Sequence, residues 1–252
     1  MDKKNNVLEF RAREKKNHKA EQEMLYSEAV QKAIHEPSVP KTSKKELFET
    51  TIKVLLNALK CKDDYTWGHS LRVAYFCVAT GKELGLNEDE LYELELSALF
   101  HDLGKIGVPD SILKKPSRLN DEEFLEMKKH PEKSAEILEG FPIFKDIARF
   151  AKHHHERFDG RGYPSGLKGE DIPLYSRLIL ISDTFDAMTS TRPYRKGLPF
   201  DVAFAELREF SGTQFDGNFV EIFIASMTKE QLTNEDTFTL QILEGEFKKD
   251  AA

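Results

Sequence analysis

His101 and Asp102 stand side by side at the end of the apolar stretch LYELELSALFHDLGK. Leu94 and Ala98 precede His101 by seven and three residues, so a helical period carries all three on one face. An imidazole and a carboxylate on an inward stripe need a partner, because burying a polar group unpaired costs roughly 2–7 kcal/mol. A metal ion satisfies both at once. A surface pair at a helix end fits the same local pattern, with Gly104 closing the helix and His101 capping its carbonyls.

The remaining histidines shift the balance toward metal. His18 and His35 fall in a charged N-terminal stretch and read as solvated side chains. His69 lies in YTWGHSLRVAYFCVA, with Val73 and Phe76 following at helical spacing. His130 ends NDEEFLEMKKH, with Phe124 and Met127 six and three residues before it, which puts it on the apolar side. His154 follows Ile147 and Ala151 on another stripe, and His155 lies one step around it. Asp183 places a carboxylate on the otherwise apolar SRLILISDTFDAM, three residues before Asp186. Each alone suits a satisfied core residue, and Asp183 alone suits an ion pair with Arg177. Separate segments all delivering His or Asp from apolar faces suit a shared cation better. The only cysteines, Cys61 and Cys77, form no CxxC, so the chain carries no dominant zinc-finger pattern. A mixed His/Asp set suits iron, manganese, nickel or zinc.

Three runs in order, HDLGKIGVPDSILKKPSRL, HHERFDGRGYPSGLKGEDIP and ISDTFDAMTSTRPYRK, resemble the HD-GYP domain of the HD phosphohydrolase superfamily. The GYP is Gly162-Tyr163-Pro164, and the likeness spans roughly residues 45 to 228. The resemblance implies an all-α HD-domain helical bundle, with a Gly/Pro-rich GYP loop beside a dinuclear metal site. It implies hydrolysis of cyclic di-GMP, or a related cyclic dinucleotide, to linear pGpG or GMP. The implied ligands are His69, His101, Asp102, His130, His154, His155 and Asp183, with Asp102 bridging two divalent ions, iron or manganese favoured. His153 precedes the motif and is not carried over; it reads as a partly exposed helix residue. Relatives of the three-metal kind carry Glu four residues before the first histidine ligand. Tyr65 stands there, which argues for two ions. The departures at Ser117, Ile181-Ser182 and Gly217 touch no implied ligand.

Two ions roughly 3.5–4 Å apart can hold a bridging hydroxide at neutral pH and clamp phosphate oxygens. Asp102 and Lys105 are then the catalytic candidates, Lys105 stabilising phosphate charge or protonating the leaving 3′ oxygen. Arg192 and Arg195 match the family's phosphate-binding pair, for which guanidinium forks are well shaped. Tyr163 could stack on a guanine or bound the pocket, and Asp186 could orient a ligand from behind. Two other readings are a general HD nucleotidase and a non-catalytic cyclic-dinucleotide sensor or partner-binding module. The GYP and RPYR segments argue against the first, and the intact ligand set with Lys105 against the second.

The elements that must position these groups read as successive helices from residue 43 onward. Phe48, Ile52, Leu55 and Leu59 make a stripe on the first. Asn87 with Glu90, and Asn120 with Glu123, have capping-box spacing. Pro199 predicts the start of a helix carrying Val202 and Phe210, and Asp216 one carrying Phe219, Val220 and Phe223. Gly and Pro density from Glu156 to Pro173 excludes a continuous helix there. Residues 1–42 read as a charged arm or signalling helix that could meet a protein partner. Residues 43–252 read as the catalytic domain, with an extension from about 229.

Net charge is −7 over 252 residues, which leaves no basic footprint for a nucleic-acid polymer. An anionic substrate must be drawn in locally, by metals and arginines. No stretch approaches the ~20 apolar residues of a membrane span. The start MDKKNNVLEF has no apolar core of the secretory kind. Two cysteines suit a reducing, cytoplasmic setting.

Overall fold

The computed structural model describes residues 44–191 and 196–233, and the chain divides into two compact units, Met1–Thr51 and Ile52–Ala252. Of the first unit, only the opening turns of helix α1 (Lys44–Lys62) are described. The proposed N-terminal arm, Arg192, Arg195 and the tail beyond residue 233 lie outside the described residues. Every element described is helical, and no strand occurs among the described residues.

In the second unit, α1 ends with Leu56 and Leu59 buried. Helix α2 (Asp64–Glu83) starts where Asp63 accepts from the Thr66 amide at 3.0 Å. Four residues later α3 (Glu88–Phe100) starts at a full capping box between Asn87 and Glu90. The two helices pack as an αα-hairpin. A 3-10 turn, Leu103–Gly107, leads to the short helices α4 (Asp110–Leu113) and α5 (Asp121–Met127). The Asn120–Glu123 box caps α5. Helices α6 (His130–Glu139) and α7 (Lys145–Lys152) form a second hairpin across the 3-10 turn Pro142–Phe144.

The Gly/Pro-rich segment follows and contains no α-helix. Then come α8 (Leu174–Thr189), α9 (Phe200–Glu209) and α10 (Gly217–Thr233), which runs on through residue 229. Phe185 of α8 anchors an apolar cluster with α2, α9 and α10. Its ring lies parallel to Phe204 at 5.4 Å and edge-on to Phe76 and Phe223. This cluster fixes α8 against α2, which carry Asp183 and His69.

Some local expectations need correction. His130 does not close the helix of Phe124; α5 stops at Met127, and His130 begins α6. Phe124 is 50 % exposed, so the apolar side assigned to α5 is not a core face; no residue of α5 is buried. Val202 is likewise 45 % exposed, while Ala203, Phe204 and Leu207 bury the inner face of α9. Arg177 pairs with Asp216 rather than Asp183, at 2.5 Å. Gly104 is not a left-handed helix cap; it is buried, and a Cβ there would lie 2.1 Å from the His130 carbonyl. It is glycine because α6 passes over its backbone.

Candidate metal centre

Both hairpins open toward the same place. His69 lies near the start of α2 and His101 just past the end of α3. His130 is the first residue of α6, and His154 and His155 follow α7 within three residues. Asp102 sits between the two groups. Its Oδ2 lies 3.6 Å from His69 Nε2 and 3.4 Å from His101 Nε2, while its Oδ1 lies 3.1 Å from His130 Nε2. His130 Nε2 in turn lies 3.4 Å from His154 Nε2. Asp183 joins from α8, with Oδ1 3.1 Å from His69 Nε2 and Oδ2 4.0 Å from His155 Nδ1. All the implied ligands therefore converge.

The backbone aims these rings. His101, His130 and His154 each hold Nδ1 2.6–2.7 Å from the carbonyl three residues back, at Ala98, Met127 and Ala151. A carbonyl only accepts, so Nδ1 donates and Nε2 is left turned inward with its lone pair. His69 uses Asp186 instead, at 2.7 Å. Ser134 stitches the hairpins together, accepting from the Gly104 amide at 2.7 Å and donating to the His101 carbonyl at 2.8 Å.

The fit to a cation can be tested on unsatisfied atoms. His101 Nε2 and Asp102 Oδ1 are buried without a hydrogen-bond partner among the described residues, although imidazole and carboxylate atoms stand 3.1–3.4 Å apart. The atoms are close, yet they are not aligned on one another. Buried polar atoms left in that state are costly unless something between them is shared. Three overlapping groups have ligand atoms close enough to hold an ion: His69, His101, Asp183; His101, Asp102, His154; and His130, His154, His155.

Protonation states suit the same purpose. Burial opposes ionisation of Asp102, but the Lys105 ammonium, 2.5 Å from Oδ2, and His101 hold it well below the usual carboxylate range. Burial also opposes charge on Asp183, and His69 outweighs it. Burial pushes His154 far down and His155 to about 3, with neighbouring imidazoles adding to the effect. At His69 burial is outweighed by hydrogen bonds to Asp183 and Asp186, which lift it to about 9. An incoming cation would compete with a proton there alone among these shifted imidazoles.

The GYP loop folds back on the His154–His155 turn. The Tyr163 amide donates to the His155 carbonyl at 3.2 Å, and the Tyr163 ring lies against the His155 ring at 4.8 Å, tilted by 34°. Gly162 fits because a Cβ would lie 2.3 Å from the Arg157 nitrogen. Lys128 Nζ covers the Tyr163 ring at 4.6 Å. Burial, with Asp183 and Asp102 nearby, pushes the Tyr163 hydroxyl up, so it stays a donor. The loop is clamped by Glu156, a buried carboxylate accepting from the Ser165 amide at 2.6 Å and the Leu167 amide at 3.1 Å. His153 is half-buried with Nδ1 3.5 Å from Glu156, away from the ligand set.

A cleft of about 720 Å³ opens onto the centre, with His69, Asp183 and Lys105 in its lining. Tyr65, Lys115 and Arg118 line it as well. The sequence reading passed over Glu156, Lys128, Lys115, Arg118 and Arg72. Only Arg72 carried a signal of its own, a cation one helical turn beyond His69.

A profile of the HD domain family matches residues 53–219, and the chain belongs to that family. Its likeness to the HD-GYP branch rests on the HD, HHE and GYP motifs gathered here. The chain is 39% identical over 176 residues to the cyclic di-GMP phosphodiesterase response regulator RpfG of Xanthomonas campestris, covering 69% of this chain and 47% of that protein. It is 39% identical over 180 residues to a cyclic di-GMP phosphodiesterase of Thermotoga maritima, covering 71% and 49%. A 3'3'-cGAMP-specific phosphodiesterase of Vibrio cholerae is 40% identical over 169 residues, covering 67% and 37%. The chain thus spans about half or less of the length of these relatives. Among solved structures, the PgpH HD domain of L. monocytogenes, in complex with cyclic-di-AMP, superposes with a TM-score of 0.52 at 20% identity, covering 73% of this chain and 99% of that one. At that identity the likeness concerns the fold.

Proposed function

We propose that this chain is a metal-dependent phosphodiesterase that hydrolyses a cyclic dinucleotide, cyclic di-GMP or a close relative such as cyclic GMP-AMP, to linear pGpG or GMP. The observation that carries the reading is the setting of Asp102, a buried carboxylate with one oxygen toward His69 and His101 and the other toward His130. His69, His101, Asp102 and Asp183 would hold one divalent ion, and Asp102, His130, His154 and His155 the other. The mixed nitrogen and oxygen donors suit iron or manganese. Such ions would acidify water and neutralise phosphate charge.

The protein's own groups do the rest. Lys105 lines the cleft and reaches Asp102, so its ammonium stands where a phosphate would meet the centre. It offers charge to a phosphate oxygen, or a proton to the leaving 3′ oxygen. Tyr163 bounds the site beside His155, and its rigid clamp limits how a base can approach. Asp186 holds the His69 ring from behind. Arg192 and Arg195 supply guanidinium forks for phosphate. Relatives named for cyclic di-GMP and for cGAMP support the substrate class and leave the base preference to experiment. No helix among the described residues is long and apolar enough to cross a membrane, which suits the proposed cytoplasmic setting.

The test is metal analysis of the purified chain together with turnover of a cyclic-dinucleotide panel. The double variant His101→Ala/Asp102→Ala should lose both bound metal and turnover. Full turnover in that variant, or a metal-loaded native chain that leaves every cyclic dinucleotide intact, would end the proposal.

A further inference from the structure

We infer that Arg72 is a positioning residue for the metal centre: its guanidinium fork clamps Asp186 and thereby sets the tautomer and direction of the His69 ring. The inference rests on the two-ion reading above. Arg72 lies three residues beyond His69 on the same face of α2, and touches none of the implied ligands' inward atoms.

Asp186 is 1 % exposed and receives donors from three directions. Arg72 Nε donates to Oδ1 at 2.6 Å and Arg72 Nη2 to Oδ2 at 3.0 Å. Ser190 Oγ donates to Oδ1 at 3.0 Å, and His69 Nδ1 meets Oδ2 at 2.7 Å. The two-pronged contact fixes the plane of the carboxylate, which a single bond would not. With that plane fixed, an acceptor faces Nδ1, so a proton is held on Nδ1 and Nε2 is the nitrogen turned toward Asp183 and Asp102. The other histidines with aimed rings borrow a backbone carbonyl for this purpose; His69 depends on a side chain that itself must be held. Such outer partners typically control metal affinity by about 10–100-fold.

Ser190 widens the consequence. It is the C-cap residue of α8. The Leu198 amide donates to the Met188 carbonyl of the same helix end at 2.9 Å. Arg72 and Asp186 therefore anchor both a ligand ring and the C-terminal end of α8.

The side chain of Arg72 is 42 % exposed, so replacing it does not hollow the core. The experiment is calorimetric titration of Mn²⁺ into the metal-stripped full chain, with thermal unfolding of the stripped protein alongside. The native chain should show two Mn²⁺ sites. Arg72→Met should weaken one of them by about 10–100-fold and leave the other within about twofold. Arg72→Lys, which keeps the charge but not the fork, should weaken the same site by a smaller factor. Native chain binding two Mn²⁺ with both variants unchanged overturns the role of Arg72 alone. Equal weakening of both sites, or weakening that merely follows a lowered melting temperature, also overturns it. A native chain that binds no Mn²⁺ overturns the two-ion reading and this inference with it.

Discussion

Gly104→Ala is expected to damage both stability and the centre, although it adds a single methyl group. A Cβ at 104 would lie 2.1 Å from the His130 carbonyl oxygen and 2.5 Å from the Ser134 amide nitrogen, whereas real Cβ atoms essentially never come within 3.0 Å. Both opposing atoms are backbone, so no side chain can swing aside. Relief requires the start of α6 to retreat by close to an ångström. Overpacking of this kind costs about 1–3 kcal/mol, and opposition by the backbone of a packed helix argues for the upper end. At roughly 2–4 °C per kcal/mol for a domain of this size, the melting temperature should fall by about 6–12 °C. The retreating carbonyl belongs to His130, whose Nε2 sits 3.1 Å from Asp102 Oδ1. Displacement of a reacting constellation by about 1 Å can cost ~100-fold in rate. Gly140→Ala is the control, since its nearest contact is 3.4 Å and its φ is −59°. It should be neutral or stabilising by up to about 1 kcal/mol. The assay is thermal unfolding of metal-stripped protein, followed by Mn²⁺ content and turnover. If Gly104→Ala melts within about 1 °C of native and keeps its metal, the close-approach reasoning is wrong.

Other consequences can be checked directly. Glu156→Gln removes one of the acceptors that hold Ser165 and Leu167, so it should cost about 1–3 kcal/mol and speed hydrogen exchange at those two amides; unchanged exchange would refute the clamp. Lys105→Met should lower turnover by about 10²–10⁴-fold while Mn²⁺ content stays the same; retained turnover would remove Lys105 from the chemistry. Arg177→Met strands the buried Asp216 carboxylate and should destabilise the fold by about 3–5 kcal/mol, read from chemical denaturation. Metal-stripped protein should be most stable near neutrality. His69, raised to about 9, contributes fully below its unfolded 6.5 and loses that contribution as pH rises through 9. His155, held at about 3, contributes fully above 6.5 and loses it as pH falls toward 3. A melting temperature that stays flat from about pH 5 to 9 would contradict both shifts.

The residues that converge around Asp102 could be picked out from the chain alone because each stands at helical spacing from apolar neighbours and belongs to a recognisable motif. The capping boxes at Asn87 and Asn120 were equally legible, since both partners lie within one turn. What escaped were pairings set by tertiary packing. Arg72 meets Asp186 across 114 positions, and Arg177 meets Asp216 across 39, so local spacing carries no trace of either. His130 misled for a different reason. Two short helices abut at residues 128–129, and a period run through that break put Phe124 on the inward side with His130, whereas Phe124 is exposed and only His130 is buried. Glu156 carried no signal of its clamping role, because its partners are backbone amides that any sequence would offer.

The two helical hairpins turn their backs on the chemistry. Their bends, at residues 84–87 and 140–144, lie at the far ends from the residues that gather around Asp102. Helical turns added at residues 84–87 would draw the first pair out like a handle, and the gathered side chains would keep their register; the second bend is tied to the core by Phe144, buried against Phe100. One residue gained between His101 and Gly104, or between His130 and Ser134, would have no such freedom. Size in this architecture can drift at the rim while the hub stays numbered to the residue.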